Sequence, residues 1–342
     1  MNIKFIKKLP TPGEIINELP LSAELKKIKN EIDDEIRQVF IGESSKFIVV
    51  IGPCSADRED SVLEYISRLA RVQEKVKDTL IIIPRVYTNK PRTTGEGYKG
   101  MVHQPDPNKE PNIEEGIKAI RKLHIKALSE GHLVTADEML YPENYSYLAD
   151  LLSYVAIGAR SVENQQHRLT VSGMDIPVGM KNPTSGDITV MLNSVMAAQL
   201  SHNFVYNGYE VSTMGNPLTH TILRGAVDFY GRNIPNYHYE NLQELVNAYE
   251  ERGLANPAIL VDTNHSNSMK KFYEQPRIAK EVLFSRKWDS KLKTMIKGLM
   301  IESYLVEGKQ DLYGGVYGKS ITDPCLGWED SEKLIYYIAE NV

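Results

Sequence analysis

The hydrophobic pattern of the first 45 residues predicts one amphipathic helix, over residues 21–40. Its apolar positions recur at spacings of three or four residues, as on one face of a helix, and they are Leu25, Ile28, Ile32, Ile36 and Val39. Gly42 follows, and glycine commonly ends a helix. Because the helix precedes the first predicted strand, residues 1–45 are expected to form an N-terminal extension that packs on the main body or on a neighbouring subunit.

Short apolar runs then alternate with helical stretches through the rest of the chain. The apolar runs, which predict strands, are at 47–51, 80–83, 133–136, 154–157, 176–180, 221–223, 258–261 and 296–301. The predicted helices are at 60–77, 113–130, 142–153, 187–200, 239–253, 276–284 and 329–340. Strands that are apolar throughout and are separated by helices indicate a parallel sheet buried on both faces.

Eight such units favour an α/β fold of the closed (β/α)8 TIM barrel type over residues 46–342. A doubly wound open sheet is the alternative, but no G-x-G-x-x-G motif follows the first strand, which argues against it. One segment departs from the alternation: two strand-like runs flank Asn207-Gly208, a dipeptide typical of a type I′ turn. We therefore expect an inserted β-hairpin at about 203–213, ahead of the sixth barrel strand.

Composition and charge limit the functional classes. The chain has 342 residues, 42% hydrophobic and 25% charged, with a formal net charge of -5, so nucleic-acid binding by bulk charge is not expected. Only two cysteines occur, Cys54 and Cys325, which fits a reducing compartment. Residues 1–9 lack the apolar core of a signal peptide, and no apolar run is long enough to span a membrane. The expected location is the cytoplasm.

Four side chains of metal-ligand type follow different apolar runs: Cys54, His265, Glu302 and Asp323. Each alone has an ordinary explanation, such as a buried thiol, a packed histidine or a turn aspartate before proline. In a barrel, however, the carboxyl ends of the strands meet at one face. There the four would form a mixed sulfur, nitrogen and oxygen site, which suits Mn, Fe, Co or Zn better than Mg or Ca.

Basic residues are also concentrated at the predicted strand ends. They are Arg85, Lys90, Arg92, Arg160, Lys181 and Arg224. Any one of them could be a solvated surface charge, but several strands that send cations to one rim predict a site for phosphorylated, strongly anionic substrates. Glu138 closes the third strand. It could accept a hydrogen bond from a cation or a catalytic water, or simply stabilise a helix N-terminus.

Eight motifs carry a family resemblance. They are Ile51-Gly52-Pro53-Cys54-Ser55, Lys90-Pro91-Arg92-Thr93-Thr94, Gly158-Ala159-Arg160, Gly179-Met180-Lys181-Asn182, Ile222-Leu223-Arg224-Gly225, Asp262-Thr263-Asn264-His265-Ser266, Glu302-Ser303-Tyr304-Leu305-Val306-Glu307-Gly308 and Tyr317-Gly318-Lys319-Ser320-Ile321-Thr322-Asp323. From about residue 20 to the end, the chain resembles the type I 3-deoxy-D-arabino-heptulosonate-7-phosphate (DAHP) synthases. The second and eighth motifs are the most specific.

The resemblance implies a (β/α)8 barrel with one divalent metal ion that condenses phosphoenolpyruvate with erythrose 4-phosphate and releases phosphate. This is the first step of the shikimate pathway to aromatic amino acids. The implied metal ligands are Cys54, His265, Glu302 and Asp323. The implied phosphoenolpyruvate contacts are Arg85, Lys90, Glu138, Ala159, Arg160, Lys181 and Arg224. The implied erythrose 4-phosphate contacts are Lys90, Pro91, Arg92, Thr93 and Asp323.

In the expected mechanism, the metal polarises the aldehyde or a water, and Lys90 protonates the aldehyde oxygen. Cys54, His265 and Asp323 complete the expected catalytic set. A second hypothesis is that Cys54 and Cys325 form an inactivating disulfide when the metal is absent. The competing functions are an octulosonate 8-phosphate type synthase that uses arabinose 5-phosphate, and a silent barrel that senses aromatic amino acids.

Regulation and assembly are left open by the sequence. Feedback-inhibited members of the family bind an aromatic amino acid near the N-terminal extension and the inserted β-hairpin. Asp175 stands where a phenylalanine-sensitive member is expected to have a smaller polar residue, so neither feedback nor its effector is fixed. The N-terminal helix and the inserted β-hairpin suit subunit contacts, and a homodimer or homotetramer is expected.

Overall fold

The computed structural model describes residues 1–92, 95–106 and 109–342. Two helices, α1 (Pro12–Glu18) and α2 (Ala23–Ile41), precede the first strand. The first half of the barrel then comprises β1 (Phe47–Gly52), α3 (Glu59–Val76), β2 (Leu80–Pro84), α4 (Ile113–Gly131), β3 (Thr135–Glu138), α5 (Pro142–Tyr145), β4 (Leu152–Ile157), α6 (Gln165–Val171), β5 (Val178–Lys181) and α7 (Ile188–Gln199).

The second half carries two small insertions and ends in a helix. Its elements are β6 (Asn203–Tyr206), β7 (Tyr209–Ser212), β8 (Thr219–Leu223), β9 (Ala226–Val227), β10 (Asn233–Ile234), α8 (Tyr239–Arg252), β11 (Ile259–Asp262), α9 (Gln275–Trp288), α10 (Ser290–Met295), β12 (Ile296–Glu302), β13 (Val306–Lys309), β14 (Lys319–Ser320) and α11 (Trp328–Asn341). A single 3-10 turn at Phe272–Glu274 leads into α9.

Eight strands form one parallel sheet in the order β2-β1-β12-β11-β8-β5-β4-β3. The two end strands meet through a parallel bridge between Arg85 and Ala136, where the Val86 amide donates to the Ala136 carbonyl over 2.8 Å. The sheet is therefore closed, and the predicted (β/α)8 barrel is confirmed. β1, β2, β4, β8 and β11 are buried along their whole length, as expected for strands covered by helices outside and side chains inside.

The N-terminal helix packs on the barrel of its own chain. Ile36, Val39 and Phe40 of α2 belong to the main hydrophobic core. The Phe40 ring lies 4.4 Å from the His220 ring, near the amino end of β8. Gly42 ends the helix in the left-handed conformation, with φ of 85°, as predicted. The extension was expected to pack on the main body or on a neighbouring subunit, and in the structure α2 packs on the main body.

The predicted hairpin is present as β6 and β7, which pair antiparallel with Phe204 opposite Val211.

The predicted helix over 142–153 is wrong. The structure has one helical turn at Pro142–Tyr145, followed by turns, and β4 already begins at Leu152. β4 is apolar and buried, and its parallel pairing with β3 and β5 outweighs the helical periodicity of the residues before it. No helix within the described ranges has both the length and the hydrophobicity needed to cross a bilayer.

Candidate active site and metal centre

The carboxyl ends of the barrel strands bring the predicted functional side chains to one face. Glu138, Lys181 and Glu302 are the last residues of β3, β5 and β12. Arg85 and Arg224 directly follow β2 and β8, and the remaining candidates lie in the loops beyond the strands. The parallel sheet therefore explains how residues far apart in sequence come to share one site.

Three of the four predicted metal ligands form a compact cluster. Cys54, Glu302 and Asp323 each offer a ligand atom, and these atoms all lie within 4.8 Å of one another. Cys54 Sγ and Asp323 Oδ2 are 3.3 Å apart. His265 lies beside this cluster, with its Nε2 3.6 Å from Glu302 Oε1.

The ammonium group of Lys90 lies among the same side chains. Its Nζ is 2.6 Å from Cys54 Sγ and 3.1 Å from Asp323 Oδ2. Burial alone would lower the pKa of Lys90, but the nearby Cys54, Asp323 and Glu302 raise it instead. Lys90 therefore stays positively charged, and it holds the pKa of the Asp323 carboxyl well below its usual value. The cluster of Cys54, Glu302 and Asp323 therefore favours positive charge beside it.

The donor set fits a divalent metal. Burial, followed by the charge of Glu302, raises the pKa of Cys54 to about 12. The thiol is therefore protonated unless a stronger cation than one ammonium group lies beside it, and a metal ion supplies that charge. Thiolate, imidazole and carboxylate together suit borderline metals such as Zn, Co, Fe and Mn. Cys54, His265, Glu302 and Asp323 would hold the ion.

Glu302 is fixed from several directions. Arg85 Nη2 lies 3.0 Å from Oε1, and the Asn264 amide donates to Oε2 over 2.6 Å. The Gln275 side chain also accepts from the backbone N–H of Glu302 and donates to its carbonyl, over 2.9 and 2.8 Å. Although burial opposes ionisation, His265 and Arg85 keep the pKa of Glu302 below its usual value. A charged carboxylate is thus held in a rigid orientation.

Arg85 lies beneath the open cavity. It is 2% exposed, pairs with Glu302, and its guanidinium carbon lies 4.1 Å from the centre of the Tyr87 ring. It is absent from the residues that line the cavity. The direct contact with phosphoenolpyruvate predicted for Arg85 therefore stays a prediction, and what the structure places there is a support for Glu302.

The cavity above the cluster has a volume of about 340 Å³ and is rich in cations. Its basic lining residues are Lys90, Arg92, Arg160, Lys181, Arg224 and Lys270, and its acidic ones are Glu96, Glu138 and Asp323. Pro91, Ala159 and His265 also line it. Among the described residues, neither the Arg160 nor the Arg224 guanidinium makes a hydrogen bond or an ion pair. These two unpaired cations face a space of the size of a small metabolite.

Asp262, the last residue of β11, links the cavity to the metal cluster. Its Oδ2 lies 3.0 Å from Lys181 Nζ and 2.8 Å from His265 Nδ1. Burial opposes ionisation, but His265 and Lys181 hold the pKa of Asp262 well below its usual value. The role of Asp262 was not predicted from the sequence, although the residue ends an apolar run three positions before His265.

Two further contacts shape the rim. Asp137 of β3 accepts hydrogen bonds from the backbone N–H and the hydroxyl of Thr88, and so anchors the segment that carries Lys90. Gly158 follows β4, and a Cβ at that position would lie 2.3 Å from Glu138 Oε1. A larger residue at position 158 would therefore displace the Glu138 carboxylate from its place beside the cavity.

The predicted sugar-phosphate loop is described only in part. Pro91 and Arg92 line the cavity, and Arg92 Nε donates to the Tyr98 carbonyl over 2.7 Å. The predicted contact at Thr93 lies outside the described residues. Both cysteines are free and buried, and the disulfide between them stays a prediction.

The sequence matches the DAHP synthetase I family over residues 21–335. The chain belongs to this family. It is 37% identical to phospho-2-dehydro-3-deoxyheptonate aldolase of Haemophilus influenzae, over 99% of this chain and 93% of the relative. It is also 37% identical to the Phe-sensitive aldolase of Escherichia coli K12, over 100% and 97%. The solved aldolase of Francisella tularensis SCHU S4 is 32% identical, with a TM-score of 0.91 over 100% and 98% of the two chains.

Membership of the DAHP synthetase I family confirms three expectations from the sequence: the family, the barrel and the activity of a DAHP synthase. The alternative of a doubly wound sheet is wrong, because the strands close. The comparisons also include Trp-sensitive relatives, such as one from Escherichia coli O157:H7 at 35% identity over 98% of this chain. Relatives with two different effectors lie at similar distances, so similarity alone does not choose an effector for this chain.

Proposed function

We propose that this chain condenses phosphoenolpyruvate with erythrose 4-phosphate at the cavity described above, and that the four strand-end ligands hold the metal. One observation carries the proposal: a cavity with two unpaired guanidinium groups opens onto the Cys54, Glu302 and Asp323 cluster. Two phosphorylated substrates repel each other, so a concentration of positive charge is a requirement of this reaction. A bound metal supplies Lewis-acid polarisation of the aldehyde oxygen.

Arg160, Lys181 and Arg224 are assigned to phosphoenolpyruvate. Burial lowers the pKa of Arg224, and the charge of Arg160 lowers it further. Two cations that repel each other across a cavity gain most from a shared anion, and guanidinium groups bind phosphate and carboxylate oxygens in pairs. Lys181 is oriented toward the site by Asp262. Ala159 and Glu138 border the same space.

Arg92, Pro91 and Asp323 are assigned to erythrose 4-phosphate. Arg92 supplies the charge for the sugar phosphate, and Asp323 lies at the boundary between the cavity and the metal cluster. In this orientation the aldehyde end of the sugar points toward Lys90, whose charged ammonium is 3.1 Å from Asp323.

The chemistry then follows from the positions of the charged groups. C3 of phosphoenolpyruvate forms a bond to the aldehyde carbon, and the aldehyde oxygen takes a proton from Lys90 Nζ. Water adds at C2 of the former phosphoenolpyruvate and gives up one proton, which restores the charge of Lys90. The C–O bond to phosphate then breaks as the C2 hydroxyl passes its proton to the departing group, so that a C2 ketone remains and inorganic phosphate leaves. Arg160 and Arg224 stabilise the charge that collects on the departing phosphate.

Phosphate release with paired substrates tests this assignment. With phosphoenolpyruvate, we expect turnover with erythrose 4-phosphate and none with arabinose 5-phosphate. Arg160→Lys and Arg224→Lys should each lower kcat/KM for phosphoenolpyruvate by about 10- to 100-fold, the equivalent of one charge-assisted hydrogen bond. Exposed Lys122 is the control, and Lys122→Met should be neutral. Normal turnover in Arg160→Lys would reject the anion role, and preference for arabinose 5-phosphate would reject the substrate.

A second cavity favours feedback control by an aromatic amino acid. It has a volume of about 540 Å³ and lies beside the inserted hairpin. Tyr145, Phe204 and Tyr206 give it aromatic walls, and Arg37 and Asp175 place opposite charges on its lining. A zwitterionic ligand would meet Arg37 with its carboxylate and Asp175 with its amine. Because related proteins are named Phe-sensitive and Trp-sensitive, we propose an aromatic amino acid as the effector.

Inhibition assays with phenylalanine, tyrosine and tryptophan test the effector. We expect one of them to inhibit, and we expect Asp175→Ala to abolish that inhibition while phosphate release without effector stays unchanged. Inhibition that is unaffected by Asp175→Ala would place the effector elsewhere. No inhibition by any of the three would exclude feedback of this kind.

Self-association is proposed from exposed apolar side chains near the same hairpin. Val205, Tyr209 and Met214 are 71%, 73% and 91% exposed, and Phe5 in the N-terminal segment is 88% exposed. Exposed apolar side chains on one hairpin are typical of a subunit interface. Light scattering should give the mass of a homodimer or homotetramer, and Val205→Glu should shift it toward the monomer.

A reducing, cytoplasmic location is proposed from the two buried free thiols.

A further inference from the structure

A second basic cavity lies at the end of the barrel opposite the active site. It has a volume of about 650 Å³ and is bordered by the segment entering β1, the start of β12, and the helices α9 and α10. Its basic lining residues are Lys46, Arg286, Lys293 and Lys297. Because β1 and β12 are parallel neighbours, this cavity is at their amino ends, whereas Cys54 and Glu302 are at their carboxyl ends.

Arg286 gives this cavity a buried and incompletely paired cation. The residue is 8% exposed. Its Nε donates to the Ile296 carbonyl over 3.2 Å, and its guanidinium carbon lies 5.1 Å from the centre of the Phe47 ring. Within the part of the chain that the structure describes, its two terminal nitrogens donate to no acceptor and no carboxylate pairs with it. The two terminal nitrogens keep contact with solvent, so their donors are open to an anion that enters the cavity.

The neighbouring lysines add charge without compensating it. Lys297 and Lys293 make no ion pair with any described residue, and Lys297 is half-buried. Burial lowers the pKa of Lys297, and the charge of Arg286 lowers it further. Lys46 differs, because Glu35 lies 2.7 Å from its Nζ and balances it. The excess positive charge is therefore concentrated on Arg286, Lys293 and Lys297.

We propose that this cavity binds a small phosphate-bearing molecule between Arg286, Lys293 and Lys297. The guanidinium fork matches two oxygens of a phosphate, and the lysines supply mobile point charges around it. The volume falls within the range of about 300–1,000 Å³ that is usual for small-molecule sites. The site lies at the amino face of the barrel, where no residue of the proposed reaction is found.

The other charges near the cavity favour a small anion over a polymer. Glu43 and Asp78 are exposed and border the same cavity, and the chain has a net charge of -5. Both features repel an extended polyanion such as nucleic acid, which needs a long basic surface. A single phosphate group needs only the local charge of Arg286, Lys293 and Lys297.

Calorimetric titration with inorganic phosphate tests the site. No substrate is added. The phosphate subsites of the active site are the same in every variant, because the substituted residues lie at the opposite end of the barrel, so a difference in phosphate binding reports the amino-face cavity. We expect wild type to bind phosphate at a saturable site, and Lys293→Gln/Lys297→Gln to bind it at least about tenfold more weakly. Arg286→Gln should have the same effect if it folds. Lys8→Gln/Lys122→Gln, which removes two exposed charges elsewhere, should bind like wild type.

Three results would overturn the proposal. One is equal phosphate binding by wild type and Lys293→Gln/Lys297→Gln. Another is the lack of saturable binding by wild type beyond the active site. The third is binding of an RNA oligonucleotide or of anionic phospholipid vesicles that depends on the two lysines, without binding of phosphate. The condensation assay does not involve these lysines, so failure here leaves the proposed function intact.

Discussion

Lys90 Nζ lies 2.6 Å from Cys54 Sγ, so the proposed proton donor touches a proposed metal ligand. The contact explains two properties at once. The ammonium compensates the cluster of Cys54, Glu302 and Asp323, and its charge is kept in turn by those groups. A divalent ion at the cluster would take over that compensation and leave the Lys90 proton available to the substrate.

Removal of the Lys90 ammonium should therefore affect turnover more than binding. We expect Lys90→Met to lower kcat by about 10²- to 10⁴-fold, the range for loss of a positioned proton donor. Steady-state kinetics of phosphate release would measure it, with Lys122→Met as the matched loss of an exposed charge. If the kcat of Lys90→Met stays within about threefold of the wild-type kcat, which is the scatter of such assays, Lys90 is not the proton donor.

Metal removal should abolish activity and change the state of Cys54. We expect a chelator to eliminate phosphate release and added Mn²⁺, Co²⁺ or Zn²⁺ to restore it. Because burial raises the pKa of the Cys54 thiol to about 12, loading of the apoprotein should release a proton from that residue. The Co²⁺-loaded enzyme should show a thiolate charge-transfer band that Cys54→Ser lacks. Full activity of the chelated protein, or an unchanged band in Cys54→Ser, would contradict the assignment.

Asp262 should act as a positioning residue for two functional groups. Its carboxylate accepts a hydrogen bond from Lys181 Nζ over 3.0 Å and lies 2.8 Å from His265 Nδ1. Asp262→Asn keeps the shape but removes the charge, so we expect both a higher KM for phosphoenolpyruvate and weaker metal binding, each by about 10-fold or more. A matched control is Asp311→Asn, an exposed position. If metal affinity and KM both stay at wild-type values, Asp262 has no such role.

His220 should make the fold sensitive to acid. Burial lowers its pKa from 6.5 to about 4, and its ring contacts the Tyr154 hydroxyl at 2.8 Å. A lowered histidine pKa means that the unfolded chain binds the proton more tightly, so stability is complete above about pH 6.5 and falls as the pH drops toward 4. The loss amounts to about 3 kcal/mol.

Denaturant unfolding between pH 7.5 and 4 measures this effect. We expect the free energy of unfolding of His220→Gln to depend less on pH than that of wild type, because glutamine does not titrate. His132 is an exposed histidine, and His132→Gln should retain the wild-type pH dependence. Parallel curves for wild type and His220→Gln would show that His220 is not the titrating group.

The sequence predicted the barrel because its signal is repeated eight times. An apolar run such as 47–51 needs both faces buried, and only a closed or covered parallel sheet provides that. The helix predicted over 142–153 shows the limit, since local periodicity does not reveal that Leu152 already pairs in β4. The additional hairpin β9–β10 was missed for a similar reason, because strands of two residues leave no periodic pattern.

The candidate site followed from strand ends, but its internal pairing did not. Cys54 and Asp323 are far apart in sequence, and the expectation that they meet came from barrel geometry and from the family resemblance. Sequence alone could not show that Arg85 supports Glu302 from below or that Asp262 joins Lys181 to His265. Such pairings depend on which side chain each strand turns inward, and that is set by the register of neighbouring strands.

In the proposed metal centre, Cys54, His265, Glu302 and Asp323 surround a single ion beside the basic cavity. Anomalous diffraction from crystals of the Mn²⁺-loaded enzyme with phosphoenolpyruvate tests it most directly. We expect one peak within about 2.0–2.5 Å of ligand atoms from all four side chains, with the phosphate of phosphoenolpyruvate between Arg160 and Arg224. A peak bound elsewhere, or one that Cys54 and His265 do not share, would contradict it.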